Sequence, residues 1–80
     1  IYAVKPRIAG RSVINTVRAL SDRERDILSL LIEGLSDREI ADRRSLSHRT
    51  VSNHVGRILA KLDAPSRTAA VAIALREGLV

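Results

Sequence analysis

Apolar and polar positions recur along most of this chain with the period of a helix, and no segment shows the two-residue alternation of a strand. Ile27, Leu28, Leu31 and Leu35 lie at helical spacing after Ser21, which predicts a first helix over 22–33 with Gly34 as its stop. Its start is written in "SDRE" at 21–24, because a serine N-cap followed three residues later by glutamate satisfies two amides that a helix leaves unpaired. The same tetrapeptide at 36–39 predicts a second helix over 37–44. Leu35 and Ile40 stand there at the two positions of a hydrophobic staple. Ser47 is a third cap, with Leu46 and Val51 as staple and Thr50 where the glutamate would stand, opening a helix over 48–62. A fourth opens after Pro65 with Ser66 as cap, runs through "RTAAVAIALRE" and stops at Gly78. Ahead of these, Ile1–Val4 could be extended, Pro6 and Gly10 interrupt the chain and "RSVINTVRAL" could form a short helix; residues 1–19 are read as a linker or the tail of a missing upstream domain. The expected fold class is therefore all-α: a four-helix domain over 20–80 containing a helix-turn-helix.

The third helix has the sharpest pattern. With each residue advancing about 100°, Val51, Val55, Ile58, Leu59 and Leu62 fall on one core-facing stripe. Opposite it lie Arg49, Asn53, Gly56, Arg57 and Ala60, with Ser52 on one edge and Thr50, His54 and Lys61 on the other. That face is basic, polar and slender. Two short helices joined by about three residues, the second with such a face, have the layout of a helix-turn-helix whose recognition helix enters the DNA major groove. Asn53 can pair with adenine, and Arg49 or Arg57 with guanine or phosphate.

Charge strengthens this reading. The 80 residues carry a net charge of +5, unevenly spread: 21–42 hold three basic and seven acidic groups, whereas 43–61 hold five basic groups and no acid. The basic five are Arg43, Arg44, Arg49, Arg57 and Lys61, a polarity suited to docking on phosphates. A chain of this length builds one modest core with little room for a buried active site. The absence of methionine and the opening Ile1 read as a piece of a longer protein, and the absence of cysteine excludes disulfides and thiolate metal sites. No apolar run approaches the roughly 20 residues of a membrane span, so a cytoplasmic domain without membrane contact is expected. His48 and His54 lack the spacing for a shared metal on one helix, and no acid orients a serine–histidine pair. Neither enzyme chemistry nor a cofactor is expected.

Four motifs, "LSDRERDIL", "EGLSDREIA", "LSHRTVSNHVGRILAKL" and "SRTAAVAIALREGLV", follow one another over residues 20–80. Together they resemble the LuxR-type, or FixJ-type, DNA-binding domain of bacterial transcription regulators. The resemblance implies a four-helix output domain, a third helix that reads bases, a fourth that contributes to dimerisation, and inverted-repeat promoter sites. It carries base contact onto Ser52, Asn53 and Gly56, and phosphate contact onto Ser47, Arg49 and Thr50. This chain departs from the family's frequent lysine or arginine at the positions of Ser52 and Gly56, which moves the weight of base contact onto Asn53, Arg49 and Arg57. Further phosphate contacts are expected from Ser36, Arg38, His48, His54 and Lys61. A second departure is Arg44, where leucine is usual; its stem should cover the core while its head reaches solvent, at some cost in local stability.

Each highlighted group has a plainer role as well. Glu24, Glu39 and Lys61 suit caps and surface ion pairs worth under about 1 kcal/mol, and His54 suits packing at the edge of the stripe. In the fourth helix Ala70, Val71, Ala74 and Leu75 are expected to face the core, leaving Ala69, Ala72, Ile73 and Arg76 for a two-fold homodimer contact. RNA polymerase is a further expected partner, met on the promoter. Three rival functions remain. Region 4 of sigma factors resembles the segment through helix 3 but does not typically continue into "SRTAAVAIALREGLV". A single-strand binder would use stacking aromatics, and Tyr2 is the only aromatic here. A protein-docking module would use helix 4, and its binding would lack the steep salt dependence of phosphate contact.

Overall fold

The computed structural model describes residues 20–76, which form four helices: α1 (Asp22–Ile32), α2 (Asp37–Arg44), α3 (His48–Leu62) and α4 (Arg67–Arg76). The all-α expectation holds, with the first helix one residue shorter than predicted. Expectations for residues 1–19, and for the run from α4 to Gly78, lie outside the described residues.

All four starts use the serines that the sequence marks. Ser21 Oγ accepts from the Glu24 amide at 3.0 Å while Glu24 Oε1 accepts from the Ser21 amide at 2.9 Å. Ser36 and Glu39 repeat this reciprocal pair at 3.2 and 2.8 Å. Ser47 Oγ accepts from the Thr50 amide at 3.0 Å and donates to Thr50 Oγ1 at 2.8 Å, so the missing glutamate is replaced by a hydroxyl pair. Ser66 Oγ accepts from the Ala69 amide at 3.1 Å. The stops are less uniform. Gly34 takes φ +92° after α1, but α2 and α3 end on Ser45 and Asp63 in the left-handed region, at φ 55° and 53°. In each case the next amide reaches back to close the helix: Leu46 to Ala41 and Ala64 to Leu59, both at 2.9 Å.

Helix α3 is the central element, packed against each of the other three, while α1 also contacts α4. Val51, Ile58 and Leu62 are fully buried and Val55 nearly so, meeting Ile27, Leu28, Leu30 and Ile40 from α1 and α2. Each such side chain contributes about 1.5–3 kcal/mol by leaving water, so the recognition-type helix is anchored along its whole length. One expectation for α4 fails. Ala70 and Ala74 are fully buried and Val71 half-buried, but Leu75 is 60% exposed rather than in the core. The cause is the composition of α4: apolar residues stand nearly all round it, so no stripe in the sequence selects the inward face.

Candidate nucleic-acid interface

The outer face of α3 is built by what its inner face buries. With Val51, Val55, Ile58 and Leu62 turned to the core, His48, Arg49, Ser52, Asn53, Gly56, Arg57 and Ala60 are all exposed. Thr50, His54 and Lys61 are half-buried at the edge, as the wheel predicts. Arg49 and Arg57 are two turns apart, about 12 Å along the axis, which is comparable with the width of a major groove. Helix α3 as a whole is about 22 Å long.

Internal pairing sorts the basic residues of 43–61 into two groups. Arg44 is held by Asp26 of α1 through two hydrogen bonds, Nε to Oδ2 at 2.6 Å and the second guanidinium nitrogen to Oδ1 at 2.8 Å. Its head is therefore clamped across to α1 instead of reaching freely into solvent, and the leucine-to-arginine departure is matched by a fork-shaped acceptor. Lys61 Nζ lies 2.8 Å from Glu24 Oε1, and Glu24 is only 3% exposed. The pair expected at the surface is thus partly buried, and Lys61 is turned to α1 rather than standing ready for a phosphate. Arg43 lies 3.9 Å from Glu33 with both groups about half-exposed. Arg67, at the start of α4, pairs with Asp37 at the start of α2. Arg49 and Arg57, by contrast, make no ion pair among the described residues, and neither does Arg38 of α2.

The paired carboxylates register their partners. The Arg44 hydrogen bonds hold the Asp26 carboxyl below its ordinary 3.8 against an opposing effect of burial. Burial alone would raise Glu24, but the Lys61 ammonium and the Ser21 amide outweigh it and hold the carboxyl below 4.5. Glu39 is lowered by the Ser36 amide it caps. The Asp26 hydrogen bonds raise Arg44 further above its ordinary value.

Another stretch of surface adjoins this face. Ser36, Asp37, Arg38 and His48 line an open cleft of about 540 Å³ where the first turns of α2 and α3 meet. Ser36, Arg38 and His48, singled out separately in the sequence, are thereby brought together; Ser47 and Thr50 stand beside them at the start of α3. The structure gives His54 a different setting. Its ring is half-buried and Nδ1 is enclosed with no hydrogen-bond partner among the described residues. On α4, Ala72 and Arg76 are exposed and Ala69 and Ile73 half-buried, and Leu75 joins them as the residue that the pattern of apolar positions misplaced.

Comparison with known proteins agrees with this geometry. Residues 18–74 match the family model described as bacterial regulatory proteins, luxR family. Among individual relatives, the DNA-binding transcriptional activator DevR/DosR of Mycobacterium tuberculosis is 51% identical over 55 residues, covering 69% of this chain and 25% of that protein. The transcription regulator BvgA of Bordetella pertussis is 41% identical over 70 residues, covering 88% and 34%. The response regulator protein VraR of Staphylococcus aureus is 41% identical over 77 residues, covering 96% and 37%. The chain thus spans between about a quarter and two fifths of the length of these relatives. None of its described helices is long and apolar enough to cross a membrane. A family of regulators, not of enzymes, is the setting into which the two capping boxes, the buried stripe of α3 and its exposed basic face all fit: the chain belongs to the luxR family of bacterial regulatory proteins, as a helix-turn-helix domain of the DNA-binding kind.

Proposed function

We propose that this domain binds double-stranded promoter DNA sequence-specifically, as a homodimer on an inverted repeat, with α3 in the major groove of each half-site. The observation that carries the proposal is the division of the cations: most basic groups of the 43–61 segment are engaged internally, while Arg49 and Arg57 stand unpaired on the one face of α3 that packing leaves open. Unpaired cations on a rigid helix retain their full attraction for phosphate and have no internal partner to give up. Asn53, midway between them, suits a bidentate pair with adenine, and Arg49 or Arg57 suits guanine. Ser36, Arg38, Ser47, His48 and Thr50 at the adjoining helix starts suit the flanking backbone, where free amides and the positive helix ends favour an anion. His54, half-buried at the edge of the same face, suits contact with a phosphate at the edge of the groove.

The dimer contact is proposed along α4, from Ala69, Ala72, Ile73 and Arg76 with Leu75 added. Small side chains let two such helices lie close, and exposed Leu75 provides apolar area that a lone domain leaves in water. A face this short dimerises weakly by itself; DNA would hold the two copies on half-sites about one helical turn apart. Contact with RNA polymerase would follow from the position of the site on a promoter.

Selection of bound duplexes from a randomised pool, sequenced after several rounds at moderate salt, tests the reading. An enriched inverted repeat with half-sites about one turn apart is the expected outcome. Enrichment of nothing, by a folded domain, would reduce the function to non-specific DNA affinity or move it to protein docking through α4.

A further inference from the structure

We propose that Gly56 is a specificity-determining residue of the α3 face: it lacks a side chain so that its Cα can press against the 5-methyl group of a thymine in the major groove. The proposal rests on the DNA-binding reading above and specifies one base that this face selects.

Glycine is, after proline, the least favourable residue in a helix interior, and Gly56 stands in the middle of α3. Two structural reasons could require it, and neither holds. Its backbone is helical, and among the described glycines only Gly34 has a positive φ. A Cβ built on Gly56 meets nothing within 4 Å, so no neighbouring helix comes close enough to exclude a side chain. The folded chain would accept alanine here and be more stable for it. Gly56 is also exposed, one turn after Asn53 and next to Arg57, both exposed on the same face. The close approach that a glycine permits is therefore available only to something outside the chain.

The chemistry of that object follows from what the residue presents. Without a side chain, Gly56 offers the groove only C–H groups and no free donor or acceptor, since its amide and carbonyl belong to the helix ladder. Of the groups that base pairs display in the major groove, the thymine methyl is the apolar one. A Cα close against it would exclude water from both, and a Cβ at that position would hold the helix away from the groove floor. Asn53, three residues earlier, would then lose its reach to a neighbouring adenine.

Two changes, one on each partner, test this on the duplex recovered by selection. Each thymine of a half-site is replaced in turn by uracil, which keeps base pairing and removes only the methyl group, and binding is measured for the native domain and for Gly56→Ala. The native domain should show one position per half-site where uracil weakens binding about fourfold, the effect expected for one buried methyl group. Gly56→Ala should melt about 5 °C higher, because alanine favours the helix. It should nonetheless bind the duplex at least tenfold more weakly and no longer distinguish thymine from uracil at that position. A flat uracil scan, or Gly56→Ala binding as tightly as the native domain, would overturn the assignment while leaving sequence-specific binding intact. Failure of the native domain to enrich any sequence would overturn the sequence-specific reading, and this assignment with it.

Discussion

Arg44 and Arg57 are both arginines of the basic segment, yet they belong to different regions of the molecule. Arg44 sits at the seam between α1 and α2, gripped by both oxygens of Asp26; Arg57 sits on the open face of α3 with no acidic partner among the described residues. Lys61 belongs with Arg44, since it ties the end of α3 to a glutamate that is almost wholly buried. Part of the acidic excess of residues 21–42 and of the basic excess of 43–61 is therefore matched in three separate pairs, Arg43 with Glu33, Arg44 with Asp26 and Lys61 with Glu24. Net charge along a sequence overstates the interface for that reason. What a phosphate meets is the charge left over after folding, and within residues 21–62 that remainder is concentrated on Arg38, Arg49 and Arg57.

The most direct way to break this contrast is to remove the unpaired cations. Arg49→Ala combined with Arg57→Ala should lower affinity for the selected duplex about 100-fold, given about 1–3 kcal/mol for each specific contact, and leave the melting temperature within a few degrees. The salt dependence should be modest even in the native domain. The three unpaired cations of residues 38–61 give a dimer a limiting slope of log K against log salt of about −5, whereas counting every basic group from Arg38 to Lys61 would give about −11. A titration between 50 and 200 mM salt, about the range over which such slopes are read, separates the two.

Removing a partner from the seam should act on stability and spare recognition. Glu24→Ala deletes the capping box of α1 and leaves the Lys61 ammonium without that partner, and should cost about 2 kcal/mol. Thermal melting would then fall by about 10 °C, with DNA affinity recovered at temperatures where the variant is folded. Asp26→Asn, which keeps the shape but not the charge opposite Arg44, should lower melting by a few degrees. It should also reduce the acid sensitivity of the native domain. The carboxyls of Asp26 and Glu24 are depressed in the folded state, so their contribution is complete above the unfolded values near 4 and is lost as pH falls through the folded ones. Stability measured from pH 6 down to 2 should therefore drop below about pH 4, and less steeply in Asp26→Asn. The smallest effect is expected from Arg43→Gln, because a pair at 3.9 Å between half-exposed groups contributes at most about 1 kcal/mol. Melting within a few degrees of native and affinity within about twofold would place Arg43 with neither group.

What the sequence by itself determined lies within one or two helical turns. The serine caps, the two reciprocal Ser–Glu boxes, the Gly34 stop and the buried stripe of α3 each depend on residues three to seven apart, a distance over which backbone geometry is already known once a helix is assumed. The exposed face of α3 followed from the same periodicity, so Arg49, Asn53 and Arg57 were legible without coordinates. The left-handed ends at Ser45 and Asp63 were not, since neither is the glycine that usually announces such a turn. Only the tertiary structure could decide which cations remained free: the partners of Arg44 and Lys61 stand 18 and 37 residues away, and a wheel drawn for one helix contains no information about another that crosses it. The same holds for Leu75, which was left outside because Ala70 and Ala74 already fill the contact of α4 with α1 and α3. Local chemistry chose the helices and their faces; the packing of helices distant in sequence chose which charges those faces still carry.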